Sequence, residues 1–143
     1  MMDRTREEQY LLEIGEKAKH TFWGYLGAEL VQADDKVVVA SLDIQDKHLN
    51  LIGIMHGGVH ATLLDSAMGL LAMIAKPGYD VLTSTLTIHF TSPAKRGKVT
   101  ASAEIIHQSG RMITMQGSLT DEEGVLCSLA TASFRIIERV RDS

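Results

Sequence analysis

The first part of the chain has the hydrophobic pattern of one amphipathic helix followed by two strands. A helix is predicted over residues 3–22, with Asp3 as its cap, because apolar residues recur at spacings of three and four. These residues are Leu11, Ile14, Ala18 and Phe22. Two strands are predicted within residues 28–44, with a turn at Ala33-Asp34-Asp35. In the second strand, one side carries Val38, Ala40, Leu42 and Ile44.

A second helix, predicted over residues 57–75, is apolar on nearly every side. Its sequence is GGVHATLLDSAMGLLAMIA, and Pro77-Gly78 ends it. A helix that is apolar all round belongs in the interior of a fold. We therefore expect this helix at the centre of the molecule, preceded by a polar, irregular loop over residues 46–53.

Four strand-like stretches follow the central helix: residues 81–91, 98–108, 111–120 and 125–137. In the first, Leu82, Leu86, Ile88 and Phe90 alternate with Thr83, Thr85 and Thr87, so two distinct sides are expected. Short links at 109–110 and 121–124 predict hairpins and hence antiparallel pairing. The predicted architecture is α+β, in a single domain over residues 1–143. A curved antiparallel sheet wraps around the long central helix, and the N-terminal helix is an addition.

Composition and charge exclude several classes of protein. A chain of 143 residues that is 45% hydrophobic and 22% charged is typical of one folded domain. A net charge of −4 argues against a general nucleic-acid-binding protein. The longest apolar run, residues 67–75, is far shorter than the roughly 20 residues that cross a membrane, and the charged N-terminus is unlike a signal peptide. With Cys127 as the single cysteine, we expect a soluble, cytoplasmic protein.

Two features of the central helix are candidates for chemistry. Gly57 and Gly58 stand where the first backbone N–H groups lack partners within the helix, and the helix dipole there favours negative charge. Such amides suit an oxyanion site for acyl transfer, although the glycines could instead shape a turn. Asp65 lies among apolar neighbours, where burial of a carboxylate is costly and suits a base or nucleophile. The alternative is a structural aspartate that strand groups or threonines satisfy by hydrogen bonds.

The spacing of these two features predicts a dimer. Gly57 and Asp65 are eight residues apart, which is about 12 Å along a helix that rises 1.5 Å per residue. One helix therefore cannot place both groups on the same small carbonyl. Two antiparallel copies can, and a two-fold axis then produces two equivalent sites.

The residues around these features resemble the hotdog-fold acyl-CoA thioesterases, in the PaaI-like branch of the phenylacetate pathway. The resemblance rests on Asn50, on Gly53, on HGGVHATLLDSAMG at residues 56–69 and on LTSTLTIHFTSPAKRG at residues 82–97. It implies hydrolysis of acyl-CoA, best expected for aromatic or ring-hydroxylated aromatic acyl groups, within aromatic compound catabolism. It also implies a homodimer that pairs into a tetramer. No metal or cofactor is implied, because coenzyme A is part of the substrate.

The resemblance also implies roles for individual residues. Asp65 becomes the catalytic carboxylate, either as a nucleophile or as a general base on water, and Gly57 donates its N–H to the thioester oxygen. Gly58 and His56 shape the same corner, and Asn50 matches a polar residue near the attacking water.

Three further positions complete the expected site. Thr83 aligns with a serine that some relatives carry, whereas its neighbour Ser84 points to the opposite face of the strand. Lys95 and Arg96 form a small basic spot on an acidic protein and are candidates for the phosphates of coenzyme A. The alternative is that both are ordinary solvated turn residues.

Other functions remain open at this point. The same fold serves non-catalytic acyl-CoA-binding modules and also hydratases or dehydratases. A dehydratase is expected to carry a histidine and an acid on one helix face, and the spacing of five between His60 and Asp65 fits poorly. Zinc binding by His56 and His60 is disfavoured, because no His-Glu-x-x-His pattern is present.

Overall fold

The computed structural model describes residues 4–139, and these begin with two helices rather than one. Helix α1 spans Arg4–Ala18 and helix α2 spans Phe22–Leu26. Thr21 separates them, since its N–H and its hydroxyl both donate to the carbonyl of Ala18, at 3.0 and 2.7 Å. The prediction of a continuous helix to residue 22 is therefore wrong, and Phe22 is 62% exposed instead of facing the core. The predicted cap, Asp3, lies outside the described residues.

Six strands form one sheet, in which every neighbouring pair is antiparallel, as predicted. The strands are β1 (Glu29–Ala33), β2 (Val38–Asp43), β3 (Tyr79–Phe90), β4 (Lys98–Ser109), β5 (Met112–Thr120) and β6 (Leu126–Glu138). Their order across the sheet is β1-β2-β4-β5-β6-β3. The predicted turn between β1 and β2 is confirmed, because the Asp34 carboxylate accepts from the N–H groups of Lys36 and Val37.

The central helix, α3, spans Gly57–Ala75 as predicted and lies across the sheet. By length and hydropathy alone it could cross a membrane, but one of its faces packs into the core. The buried residues are Val59, His60, Leu63, Leu64, Ala67, Met68, Leu71 and Ala72. The opposite face is only partly covered by the described chain, and it carries Thr62, Asp65, Ser66, Gly69 and Met73. The predicted central position of this helix is confirmed, and within residues 4–139 the core covers it on one face only.

Strand β3 contains a register shift that the sequence pattern did not predict. Thr83 pairs with Phe134 and Thr85 pairs with Ser133, so Ser84 is an extra residue on the β3 side. Such a bulge reverses the side to which the preceding residues point. Leu82 consequently lies opposite the exposed Arg135 and is 53% exposed, instead of sharing a side with Leu86. Thr83 faces α3 instead.

The sheet ends in two unequal edges. Strand β1 has five residues and lies beside α1, whereas β3 has twelve. Within residues 4–139, β3 has a strand neighbour only on its β6 side. The outer edge of β3 therefore presents a long row of backbone groups to solvent.

The loop that leads into α3 is held in place by buried hydrogen bonds. His48 is 1% exposed; its Nδ1 accepts from the N–H of Gln45, and its Nε2 lies 2.8 Å from the carbonyl oxygen of Leu26. The His48 carbonyl accepts from the N–H of His56 at 2.8 Å, immediately before α3 begins. The loop predicted as irregular is thus a fixed support for the helix start.

Candidate active site

The start of α3 leaves one backbone amide open. His56 is the cap residue, and its Nδ1 accepts from the N–H of Gly58 at 2.8 Å. The N–H of Gly57 has no hydrogen-bond partner within residues 4–139. His56 and Gly58 therefore satisfy each other, and Gly57 alone of the two glycines retains a free donor at the positive end of the helix dipole.

The aromatic ring of Phe90 packs closely against the start of α3 at Gly57. A Cβ atom added at Gly57 would lie 3.3 Å from Cζ of Phe90, at the end of β3. A larger side chain would have to displace this ring, so glycine permits the close approach of Phe90. The free amide is thereby flanked by an apolar wall on one side.

A cavity of about 480 Å³ opens at this amide. Its lining includes Asn50, Ile54, Gly57, His60, Phe90 and Pro93. The Oδ1 of Asn50 accepts from the N–H groups of Ile52 and Ile54, so this oxygen holds the loop in shape. The Nδ2 of Asn50 has no partner among the described residues, and it is the group that this side chain can offer to a ligand.

Asp65 lies on the partly covered face of α3, beside β3. The hydroxyl of Thr83 donates to its Oδ1 at 2.7 Å. Asp65 is half-buried in the described chain. The shift at Ser84 turns Thr83 toward the helix, which places Thr83 rather than Ser84 at the carboxylate.

The two candidate groups do not meet within one chain. Because α3 is continuous from Gly57 to Ala75, the eight residues between Gly57 and Asp65 correspond to about 12 Å along its axis. The Gly57 amide opens into its cavity beside Phe90, whereas Asp65 faces the open edge of β3 next to Thr83. The described chain therefore holds the two candidate groups at separate places.

The basic spot lies on the turn between β3 and β4. Lys95 and Arg96 are exposed, and neither forms an ion pair within residues 4–139. The preceding carbonyl, that of Ala94, accepts from the N–H of Met55 at 2.7 Å, which ties this turn to the segment leading into α3. The carboxylate of Glu122 packs against the adjacent Gly97, so an acidic group adjoins the basic spot.

Residues that sequence reasoning did not place in the site lie beneath the cavity. The Nδ1 of His60 and the Oγ of Ser128 are 2.7 Å apart, and both residues are almost fully buried. Burial lowers the pKa of His60. The ring of Phe90 meets the His60 ring edge to face, with centroids 5.1 Å apart. Because His60 lies on α3 and Ser128 lies on β6, 68 residues further along the chain, the packing of α3 against the sheet brings them together.

Comparisons with known proteins agree with this architecture. The sequence pattern described as "Thioesterase superfamily" matches residues 52–128, which is more than half of the chain. Acyl-coenzyme A thioesterase 13 of Mus musculus is 29% identical over 94 residues, covering 65% of this chain and 67% of that protein. The 1,4-dihydroxy-2-naphthoyl-CoA hydrolase of Listeria monocytogenes is 29% identical over 104 residues, covering 71% of this chain and 85% of that protein.

A solved structure supports the same assignment at the level of fold. The PaaI protein of E. coli superposes with a TM-score of 0.78, covering 93% of this chain and 92% of that one at 22% identity. The predicted hotdog architecture and the predicted PaaI-like resemblance are thus confirmed. The chain belongs to the thioesterase superfamily and is a thioesterase with the hotdog fold.

Proposed function

We propose that this thioesterase hydrolyses acyl-CoA thioesters at sites shared between two protomers. Each site combines Asp65 of one protomer with Gly57 of the partner subunit. The proposal rests on the separation of two groups along α3. The N–H of Gly57 at its start is free, whereas the carboxylate of Asp65 lies about 12 Å further along the helix and faces an open sheet edge. A positioned carboxylate and an oxyanion donor are the two elements that thioester hydrolysis needs.

The open edge of β3 supports the pairing of two copies. A twelve-residue strand with free backbone groups is a template for another strand, and a two-fold axis beside it would make β3 pair with its own copy. The same axis would cover the exposed face of α3, where Asp65 lies. We propose a homodimer for this reason, and a dimer of dimers by analogy with the family.

The Gly57 amide acts on the thioester oxygen in this scheme. Negative charge develops on that oxygen as the carbonyl carbon is attacked, and a fixed N–H at a helix start stabilises it. His56 and Gly58 satisfy each other's polar groups, which keeps the helix start rigid. We assign the orientation of the attacking water or of the carbonyl to the free Nδ2 of Asn50, because Asn50 lines the same cavity as Gly57.

The Asp65 carboxylate acts by one of two routes, as a nucleophile or as a general base. As a nucleophile, one carboxylate oxygen bonds to the carbonyl carbon, the carbon–sulfur bond breaks, and water then hydrolyses the anhydride. As a general base, Asp65 takes a proton from the water that attacks the carbon directly; the carbon–sulfur bond then breaks, and the departing thiolate of coenzyme A takes up that proton. In both routes the Thr83 hydroxyl holds Oδ1, and the second oxygen, Oδ2, is the one that we expect to react.

The substrate class that we propose is aromatic or ring-hydroxylated aromatic acyl-CoA. The relative from Listeria monocytogenes is named for an aromatic acyl-CoA, and E. coli PaaI comes from the phenylacetic acid degradation operon. We accordingly place the enzyme in aromatic compound catabolism in the cytoplasm. Lys95 and Arg96 are our candidates for contact with the phosphates of coenzyme A, since both are exposed cations near the helix start.

The test is a free-thiol release assay over a panel of acyl-CoAs, run on the wild type and on Asp65→Asn. We expect the aromatic thioesters to be turned over fastest, and kcat of the variant to fall by about 10²–10⁴-fold with little change in KM. Asp43→Asn, at the exposed end of β2, is the matched control and should retain wild-type rates. Equal activity of Asp65→Asn and wild type would refute the role of this carboxylate.

A further inference from the structure

A buried polar pair beneath the Gly57 cavity has no role in the scheme above. His60 is 3% exposed and Ser128 is fully buried, and the Nδ1 of His60 lies 2.7 Å from the Oγ of Ser128. His60 is one helical turn after Gly57, and the Phe90 ring contacts both positions. Polar groups in a core are costly unless each finds a partner, so the hydrogen positions of this pair can be assigned.

The partners of Ser128 determine which nitrogen of His60 carries the proton. The Ser128 hydroxyl makes no other side-chain hydrogen bond within residues 4–139. If Nδ1 carried the proton and donated it, the hydroxyl hydrogen of Ser128 would be buried without an acceptor. If the hydroxyl donates to Nδ1, both groups are satisfied. The neutral imidazole then carries its proton on Nε2.

The Nε2 atom opens onto the cavity. His60 is one of the lining residues, and its Nε2 has no hydrogen-bond partner among the described residues. No buried side-chain nitrogen or oxygen of the described chain is left unsatisfied, so Nε2 is not sealed in the core. The cavity therefore contains two open N–H donors that are one helical turn apart on α3.

We propose that the Nε2–H of His60 and the N–H of Gly57 form one two-donor site for a negatively charged acyl oxygen. This inference rests on the proposed function, and it adds His60 as a further catalytic residue, with Ser128 as its positioning residue. The site binds the thioester oxygen during attack and a carboxylate oxygen of the acid product. Two convergent donors are the usual composition of an oxyanion site. Because burial lowers the pKa of His60, the ring stays a neutral donor at neutral pH.

The direct test is NMR spectroscopy of the ¹⁵N-labelled full chain, with phenylacetate as the probe. Long-range ¹H–¹⁵N spectra should show the Nε2–H tautomer of His60 at pH 7. Addition of phenylacetate should shift the Nε2–H of His60 and the amide of Gly57 along one common binding curve. An Nδ1–H tautomer, or a shift of Gly57 without His60, would overturn the proposal. This readout does not depend on turnover, so it separates the two-donor site from the proposed hydrolysis.

Kinetics on three variants provide the second test. His60→Leu should lower kcat about 10²-fold with KM within about twofold, because one donor is lost. His60→Gln, which keeps an N–H donor, should recover most of that loss. Ser128→Ala should lower kcat about tenfold, since the tautomer is no longer enforced. Ser41→Ala removes a serine of β2 whose hydroxyl makes no side-chain hydrogen bond among the described residues, and it should change nothing. Unchanged kcat in a folded His60→Leu enzyme would overturn the proposal.

Discussion

The two faces of α3 differ in their residue types and in their burial. The face toward the sheet consists of large apolar residues, and Leu63, Leu64, Met68 and Leu71 are fully buried there. The other face carries small or polar residues, including Thr62, Asp65, Ser66 and Gly69, and the chain leaves it partly uncovered. One helix thus contributes to the core through one face and presents the Asp65 carboxylate on the other.

The two edges of the sheet repeat this contrast. Short β1 lies beside α1, whereas β3 exposes twelve residues and borders the face that carries Asp65. An open edge next to a half-covered helix is unfavourable for a monomer, because both features invite association. One chain thus provides a continuous core, whereas the proposed site needs two chains.

The largest expected effect comes from removing the free amide. Gly57→Pro deletes the N–H while fitting the first helical position, and His56 already has the extended backbone that precedes proline, at φ −59° and ψ 138°. We expect kcat to fall about 10²–10³-fold. Gly57→Ala adds the same Cβ beside Phe90 but keeps the N–H, so it should retain most of the activity. Equal losses in both variants would assign the effect to the ring contact rather than to the amide.

The assignment of one face of α3 to the core is tested by the free energy of unfolding of two variants. Leu64→Ala should lower the free energy of unfolding by about 2–5 kcal/mol, because it leaves a cavity in a packed core. Ser66→Ala, on the other face, should change it by less than about 0.5 kcal/mol. Urea unfolding at a fixed protomer concentration measures both values. A small effect of Leu64→Ala would contradict the assignment of that face to the core.

Variants at the bulge of β3 test the hydrogen bond from Thr83 to the Asp65 carboxylate. Thr83→Val removes the hydroxyl that donates to Asp65 and should lower kcat about 10–150-fold, the loss typical of a hydrogen bond to a charged group. Ser84→Ala should leave kcat unchanged, because this residue is exposed at the register shift. The reverse order of effects would mean that Ser84 is the residue that serves Asp65.

The smallest expected effect is a pH dependence of stability. The folded state lowers the pKa of His60 through burial, so the unfolded chain binds a proton more readily. Stability should therefore fall as the pH drops below about 6.5, the ordinary pKa of histidine, by less than about 1.4 kcal/mol per pH unit from this residue. Unfolding curves from pH 7 to 5 should show a shallower decline for His60→Gln. Identical declines would indicate that His60 does not contribute.

Local signals predicted most of the fold. Gly57-Gly58 and Pro77-Gly78 mark the ends of α3 correctly, and the short links after β4 and β5 predicted the antiparallel hairpins. The bulge at Ser84 was missed because it arises from the pairing of β3 with β6, which is not encoded in the alternation of β3 alone. The end of α1 was missed because Thr21 closes it through a hydrogen bond to Ala18.

The candidate site was predictable only in part, because some of its features depend on contacts between distant parts of the chain. Gly57 and Asp65 are distinguished by position within one helix, and their spacing already implied two chains. The burial of Asp65 depends on what covers α3 from outside, so a single sequence cannot determine it. The pair of His60 with Ser128 depends on the packing of α3 against β6, between residues 68 positions apart, and no local pattern indicates it.

The central claim is that each site takes Gly57 and Asp65 from different protomers, and mixed dimers test it directly. Gly57→Pro and Asp65→Asn are each expected to be nearly inactive, and the two are unfolded together and refolded at equal concentrations. Random pairing produces mixed dimers with one intact site each, so thioester hydrolysis should recover to about a quarter of the wild-type rate per protomer. A mixture that stays as inactive as either variant alone, while mixed dimers are shown to form, would contradict the shared site.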